Sequence, residues 1–167
     1  MAYVCESCGA THEGLPRDID FGKPGAYLAL APRQQKARCQ LTPDVCTIGK
    51  RRCFIHGRLP VPVNDAGGVF VWGLWAEVSP TVFAHYQQIV QGAAVEPLPS
   101  FGSLSVEHVS QFRGMDRLPV MMRFVRGEKR PLFKLEPNNH WLCRHQENGI
   151  TLHHLQEILH GLFPHHF

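Results

Sequence analysis

Val69-Phe70-Val71-Trp72-Gly73-Leu74-Trp75-Ala76-Glu77-Val78 is apolar at nearly every position. A run of this length, rich in β-branched and aromatic side chains, predicts a strand covered on both faces, and hence the central strand of the fold. On its N-terminal side, residues 53–59 predict a second strand, set off by Pro60, Pro62 and the turn cluster Asn64-Asp65-Ala66-Gly67-Gly68. On its C-terminal side, Ser79 reads as an N-cap and Pro80 as a first helical residue. Val82, Phe83, Tyr86, Ile89 and Val90 then share one helical face, and Gly92 is the stop.

Further out, a loop through Glu96-Pro97-Leu98-Pro99 leads to short strands at 101–106, 118–125 and 132–136. Gly127-Glu128-Lys129-Arg130 turns between the last two, which predicts a meander. Residues 32–38 are good helix formers behind Pro32 and predict a short surface helix. Thr151 caps a final helix whose Leu152, Leu155, Ile158, Leu159 and Leu162 form one stripe. Residues 1–25 are rich in Gly, Pro, Cys and Asp without a period, so loop and knuckle are expected there. The expected architecture is α+β: a mostly antiparallel sheet with two or three helices and an N-terminal zinc-knuckle-like segment, in one domain over residues 1–167.

A chain of 167 residues that is 44% hydrophobic and 19% charged buries one substantial core and is neither disordered nor a linker. No apolar run approaches the roughly 18 residues of a membrane span. Met1-Ala2-Tyr3-Val4-Cys5 lacks the basic-then-apolar order of a secretory signal, so a reducing cytoplasm is expected. The six cysteines then read as thiols or metal ligands rather than disulfides. A net charge of +3, with the one tight basic cluster Lys50-Arg51-Arg52 at an expected turn, disfavours nucleic acid as a partner.

Cys5-Glu6-Ser7-Cys8-Gly9 is the most specific local signal. Two thiolates three apart, followed by a glycine able to turn under the second sulfur, are half of a tetrahedral zinc site. An unliganded surface pair and a redox dithiol are the alternatives. The site needs two more ligands, for which His12 and Cys46 are candidates, with His140 behind them. Cys39, Cys53 and Cys143 sit in apolar or mixed segments and read as packed thiols. The histidines at 153, 154, 160, 165 and 166 read as exposed helix-face and tail residues. Glu136 and His140, close in sequence at the end of a strand, are the one pairing that suggests acid–base chemistry. There is no Gly-x-Ser-x-Gly elbow, phosphate-binding glycine loop or His-Glu-x-x-His, and no catalytic residue is assigned.

The ordered set Cys5-x-x-Cys8-Gly9-x-x-His12-x-Gly14-Leu15-Pro16, Leu41-Thr42-x-Asp44-x-Cys46-x-Ile48, Phe54-Ile55-x-Gly57 and Val71-Trp72-Gly73-x-Trp75 resembles a bacterial family, domain of unknown function 2199. The resemblance continues through Phe101-Gly102, Arg130-Pro131, Glu136-Pro137, His140 and Gln146-x-x-Gly149-Ile150-Thr151. It implies one domain and favours Cys5, Cys8, His12, Cys46 and His140 over the other Cys and His positions. It implies no activity. Ser103 stands where the family usually has Trp, Trp141 stands where it has Pro, and residues 107–117 depart from its pattern.

These readings predict a zinc-stabilised binding or interaction module of a bacterial cytoplasm, with an unidentified protein as partner and no membrane association. The zinc is structural and held by Cys5, Cys8, His12 and Cys46. The alternatives are an enzyme with an open three-ligand zinc, using Glu136 or His140 as acid or base, and a metal-free interaction protein of the immunity type.

Overall fold

The computed structural model describes residues 3–4, 9–12, 15–94 and 98–164. At the N-terminus, β1 (Tyr3–Val4) and β2 (Thr11–His12) pair antiparallel. β3 (Asp18–Asp20), α1 (Gly25–Leu28), α2 (Pro32–Arg38), β4 (Cys39–Leu41) and β5 (Val45–Ile48) follow. The two longest strands, β6 (Arg52–Val63) and β7 (Gly68–Val78), form a hairpin. The chain continues through α3 (Pro80–Val90), β8 (Ser100–Leu104), β9 (Pro119–Arg123), β10 (Leu132–Leu135), α4 (Trp141–Asn148) and α5 (Leu152–Leu162). No helix among the described residues is long and apolar enough to cross a membrane.

The fold is mixed α+β, and its sheet closes. β6, β7, β8, β9 and β10 pair in order, each antiparallel to the one before, and β10 then pairs with β6. An odd number of alternating strands leaves the first and last running the same way, so the closing pair, Leu132 opposite Arg58, is parallel. β3 also lies parallel to β7. The sheet is therefore mostly antiparallel, as expected, but mixed rather than purely so, and five α-helices are present among the described residues instead of two or three. The additional ones are α1, a single turn, and α4, whose Trp-Leu-Cys-Arg-His-Gln-Glu-Asn sequence buries only Leu142 and Cys143 and so shows no long stripe. The segment 1–25, expected as loop, carries three short strands held by pairing with one another or with β7. The helices α3 and α5 were legible from hydroxyl caps: Ser79 accepts from the Val82 amide and Thr151 from the His154 amide, both at 3.2 Å.

β7 is buried on both faces from Trp72 to Ala76, as its sequence predicts. Side chains alternate across a strand, so the hairpin feeds two cores. Ile55, Leu59 and Val61 of β6, with Phe70, Trp72 and Leu74 of β7, fill the barrel, to which α4 and α5 add Leu142, Leu155 and Leu159. Phe54 and Trp75 face outward and join Cys46 and Ile48 in a smaller core beneath Tyr27 and Leu30. Two glycines make the close approaches. A Cβ on Gly57 would lie 2.3 Å from the Phe133 ring inside the barrel, and one on Gly73 would lie 1.6 Å from Asp20 Oδ1 outside it.

β6 runs to Val63, through Pro60 and Pro62, where the prolines predicted a break. The Pro60 carbonyl accepts from Gln146 Nε2 at 3.4 Å and the Pro62 carbonyl from the Ile150 amide at 2.9 Å, so both prolines turn their backbone polar side away from β7. A missing N–H on that side removes no bond of the β6–β7 ladder. The Gln146 side chain serves as a short substitute strand in the seam. Its Oε1 accepts from the Leu135 amide at 2.8 Å, and its Nε2 donates to the Phe133 carbonyl at 2.9 Å as well as to Pro60. Gln146→Leu strands three partly buried backbone groups, the Leu135 amide and the Phe133 and Pro60 carbonyls, and is expected to destabilise the fold by at least about 3 kcal/mol, at roughly 1–3 kcal/mol per orphaned group. Denaturant unfolding monitored by tryptophan fluorescence checks this, and an unchanged midpoint would show that the barrel does not depend on the seam.

Candidate functional site

Cys5 and Cys8 lie outside the described residues. Their flanks are the paired strands β1 and β2, with Val4 opposite Thr11 and Tyr3 opposite His12, and Gly9 has a φ of +70°. Cys46, on β5, is fully buried in the outer core, where burial and the neighbouring Cys39 push its thiol up to about 12. Among the described residues no three His, Cys, Asp or Glu side chains group to hold a metal. Glu136 is exposed at the end of β10 and its backbone is in use: the carbonyl accepts from Asn138 Nδ2 at 2.7 Å. His140 caps α4, its Nδ1 accepting from the Leu142 amide at 3.2 Å while Nε2 faces the Arg113 carbonyl at 3.4 Å. Burial holds the His140 pKa below the ordinary value, and the ring is a helix cap rather than a poised base. Cys53 and Cys143 are buried as expected, and Cys39 is half-buried.

A polar clasp occupies the outer face beside these residues. The buried His56 ring stacks on Trp75 at 4.5 Å and donates from Nδ1 to the Pro43 carbonyl at 2.9 Å. That bond makes Nδ1 a donor, and Nε2 faces Asp20 Oδ1 at 3.6 Å. Burial lowers the His56 pKa. Arg130, from the turn before β10, reaches Asp20 at 3.0 Å and Asp44 at 3.4 Å. β3, the Asp44 turn and the turn before β10 are thereby tied to β6 and β7.

A charge-rich cleft of about 230 Å³ lies between α1 and the ends of β6 and β7. Arg52 and Glu77 form its floor through a two-pronged pair, Nε at 2.8 Å and Nη2 at 2.7 Å from the two carboxylate oxygens. That bonding raises the Arg52 pKa and lowers that of Glu77. Ala26, Ala29 and Leu30 add apolar lining, and Ser105, His108, Asp116 and Arg117 add polar lining, with Ser105 Oγ accepting from the Ala26 amide at 3.1 Å. Asp116 Oδ1 accepts from the Val106 amide at 2.9 Å, while Oδ2 meets His108 Nε2 at 3.1 Å and Arg117 Nε at 4.0 Å. Arg117 has a φ of +70° and is the sole non-glycine residue with positive φ among those described. Left-handed backbone costs an L-residue about 1 kcal/mol, so this guanidinium is held at the rim against local preference. Sequence reasoning missed all of these residues. The one available signal was Glu77, a lone charge inside an apolar strand.

His145 on α4 lies against Trp141 and His154, with ring centroids 5.4 and 5.2 Å away. Burial, then the His154 charge, lower its pKa to about 4. His154 is exposed, as the sequence suggested, but it is no isolated surface residue.

A family model described as "Uncharacterized protein conserved in bacteria (DUF2199)" matches residues 4–150, from β1 to the residue before the cap of α5. No curated protein and no solved structure matches the chain.

Two outcomes test this geometry. Arg117→Gly relieves the backbone strain, and its thermal midpoint is expected to equal or exceed that of the parent; a clear loss of stability would mean that the guanidinium holds the fold together. The lowered pKa values of His56, His140 and His145 mean that the unfolded chain takes up protons first, so stability falls as pH drops below 6.5 and toward 4. Replacing His145 with Asn should flatten that slope in urea titrations across the range, whereas an unaltered slope would rule out its contribution.

Proposed function

We propose that this chain, which belongs to the bacterial family domain of unknown function 2199, is a binding module whose N-terminal hairpin is stapled by a structural zinc ion. The observation that carries the reading is Gly9. It sits directly after the Cys5-x-x-Cys8 spacing, has a φ of +70°, and lies between the paired strands β1 and β2. A left-handed glycine in that place is what the turn under the second sulfur of a zinc knuckle requires.

Cys5, Cys8 and His12 supply three donors of the right chemistry. Cys46 is the fourth candidate, although its apolar surroundings keep the thiol protonated in the absence of a cation. Zinc displaces thiol protons on binding, so a high pKa weakens this ligand without disqualifying it. The ion would substitute for a core that the glycine- and proline-rich first segment does not build for itself. The binding role is supported by β8 and β9, where Phe101 and Met121 stand opposite each other and are 51% and 42% exposed. An open-site enzyme using Glu136 and His140 finds less support, because the two His140 nitrogens face backbone groups. The reading keeps residues 1–167 as one domain in a reducing cytoplasm.

Native mass spectrometry of untagged protein, purified without nickel resin, is expected to find one zinc that the Cys5→Ser, Cys8→Ser double variant loses. Cys46→Ser separates the remaining choices: a lost zinc makes Cys46 a ligand, and a retained zinc with lowered stability makes it a core thiol. Wild-type protein that stays metal-free when zinc is supplied under reducing conditions would sink the proposal in favour of a metal-free interaction module.

A further inference from the structure

We infer that the cleft between α1 and the ends of β6 and β7 binds a small zwitterion, of the kind and size of a free amino acid. Charges of both signs converge there, and each retains bonding capacity. The Arg117 side chain is 72% exposed and meets Asp116 only at 4.0 Å, so its donors are open to a carboxylate. Asp116 and Glu77 are 18% and 24% exposed, and their oxygens can accept from an ammonium beyond the bonds they already make. Ala26, Ala29, Leu30 and Leu104 offer an apolar wall to a short side chain.

Size and charge each exclude alternatives. A cavity of about 230 Å³ is below the range of roughly 300–1,000 Å³ that takes drug-sized ligands. It has room for a molecule the size of a small amino acid. A simple anion would bring its charge against Asp116 and Glu77, and a simple amine against Arg52 and Arg117, leaving a desolvated group without a partner. A ligand with both charges satisfies both sets. The strained backbone of Arg117 fits this assignment, because residues held in costly conformations cluster where the side chain is used. The site uses no residue of the N-terminal hairpin, so it stands or falls independently of the zinc.

The test is an amide chemical-shift titration of the full chain with each standard free amino acid. Propionate and ethylamine serve as single-charge controls, and Arg117→Gly as the variant. Saturable shifts are expected at Ala26, Ala29, Ser105 and Arg117 with at least one amino acid. Affinity for either control should be at least about tenfold weaker, corresponding to loss of one charge-assisted bond. Arg117→Gly, whose new residue suits the backbone, should lose the amino-acid response while keeping its thermal midpoint. Should that variant fail to fold, Arg117→Asn, which also tolerates the left-handed region, takes its place. The inference is overturned if no amino acid produces saturable shifts at these amides in the millimolar range, if propionate or ethylamine binds as well, or if removing the guanidinium leaves binding unchanged.

Discussion

Eleven consecutive cross-strand pairs join β6 to β7, from Cys53 opposite Val78 to Val63 opposite Gly68, and the hairpin must bury both of its faces. That double burial organises the rest of the molecule. One face needs a closed interior, which β8, β9 and β10 provide by curling back to β6. The other needs a lid, which the segment from Phe21 to Leu41 and β5 provide over Phe54, Cys46 and Trp75. Trp75 is fixed in that layer from two directions, by the His56 ring stacked on it and by its indole N–H, which donates to the Phe21 carbonyl at 2.6 Å.

Closure creates a difficulty that the chain resolves with side chains. The parallel pairing of β10 with β6 extends over a single register pair, and beyond it the β10 backbone would face a gap lined by prolines. Gln146 bridges that gap with an amide, the one side-chain group that presents donor and acceptor as a peptide does. α4 is therefore part of the barrel wall, and its start is set by His140, whose ring nitrogen takes the place of a capping hydroxyl. This accounts for the Glu136-to-His140 segment in structural terms, since Asn138 bonds both the Glu136 carbonyl and the His140 amide.

Polar groups collect on the outer face because the barrel interior excludes them. Asp20, Asp44, His56 and Arg130 close the lid near the middle of the hairpin, and Arg52, Glu77 and Asp116 line the cleft near its end. Gly73 permits the first arrangement by letting Asp20 lie against β7. The charges that tie the lid down and those that shape the cleft thus share one surface at successive outward positions of the hairpin, Glu77 opposite Phe54 and then Trp75 opposite His56.

Elements whose information is local were legible in the amino-acid order. The two-faced burial of β7, the capped helices α3 and α5, the short α2 and the β8–β10 meander follow from periodicity, caps and turn residues that act within a few positions. The continuation of β6 through two prolines was hidden, because whether a missing N–H matters depends on which neighbour it would face. The parallel closure, the clasp around His56 and the charged cleft were hidden for the same reason. Several of their pairs join residues far apart in the chain, 25 positions for Arg52 and Glu77 and 110 for Arg130 and Asp20. By itself the sequence determined that β7, α2, α3, α5 and the β8–β10 strands would form and which faces of β7, α3 and α5 would be buried, since those are properties of neighbouring residues. Only the tertiary structure decided which charges meet, because an ion pair or a cleft exists where the closed sheet brings distant loops together.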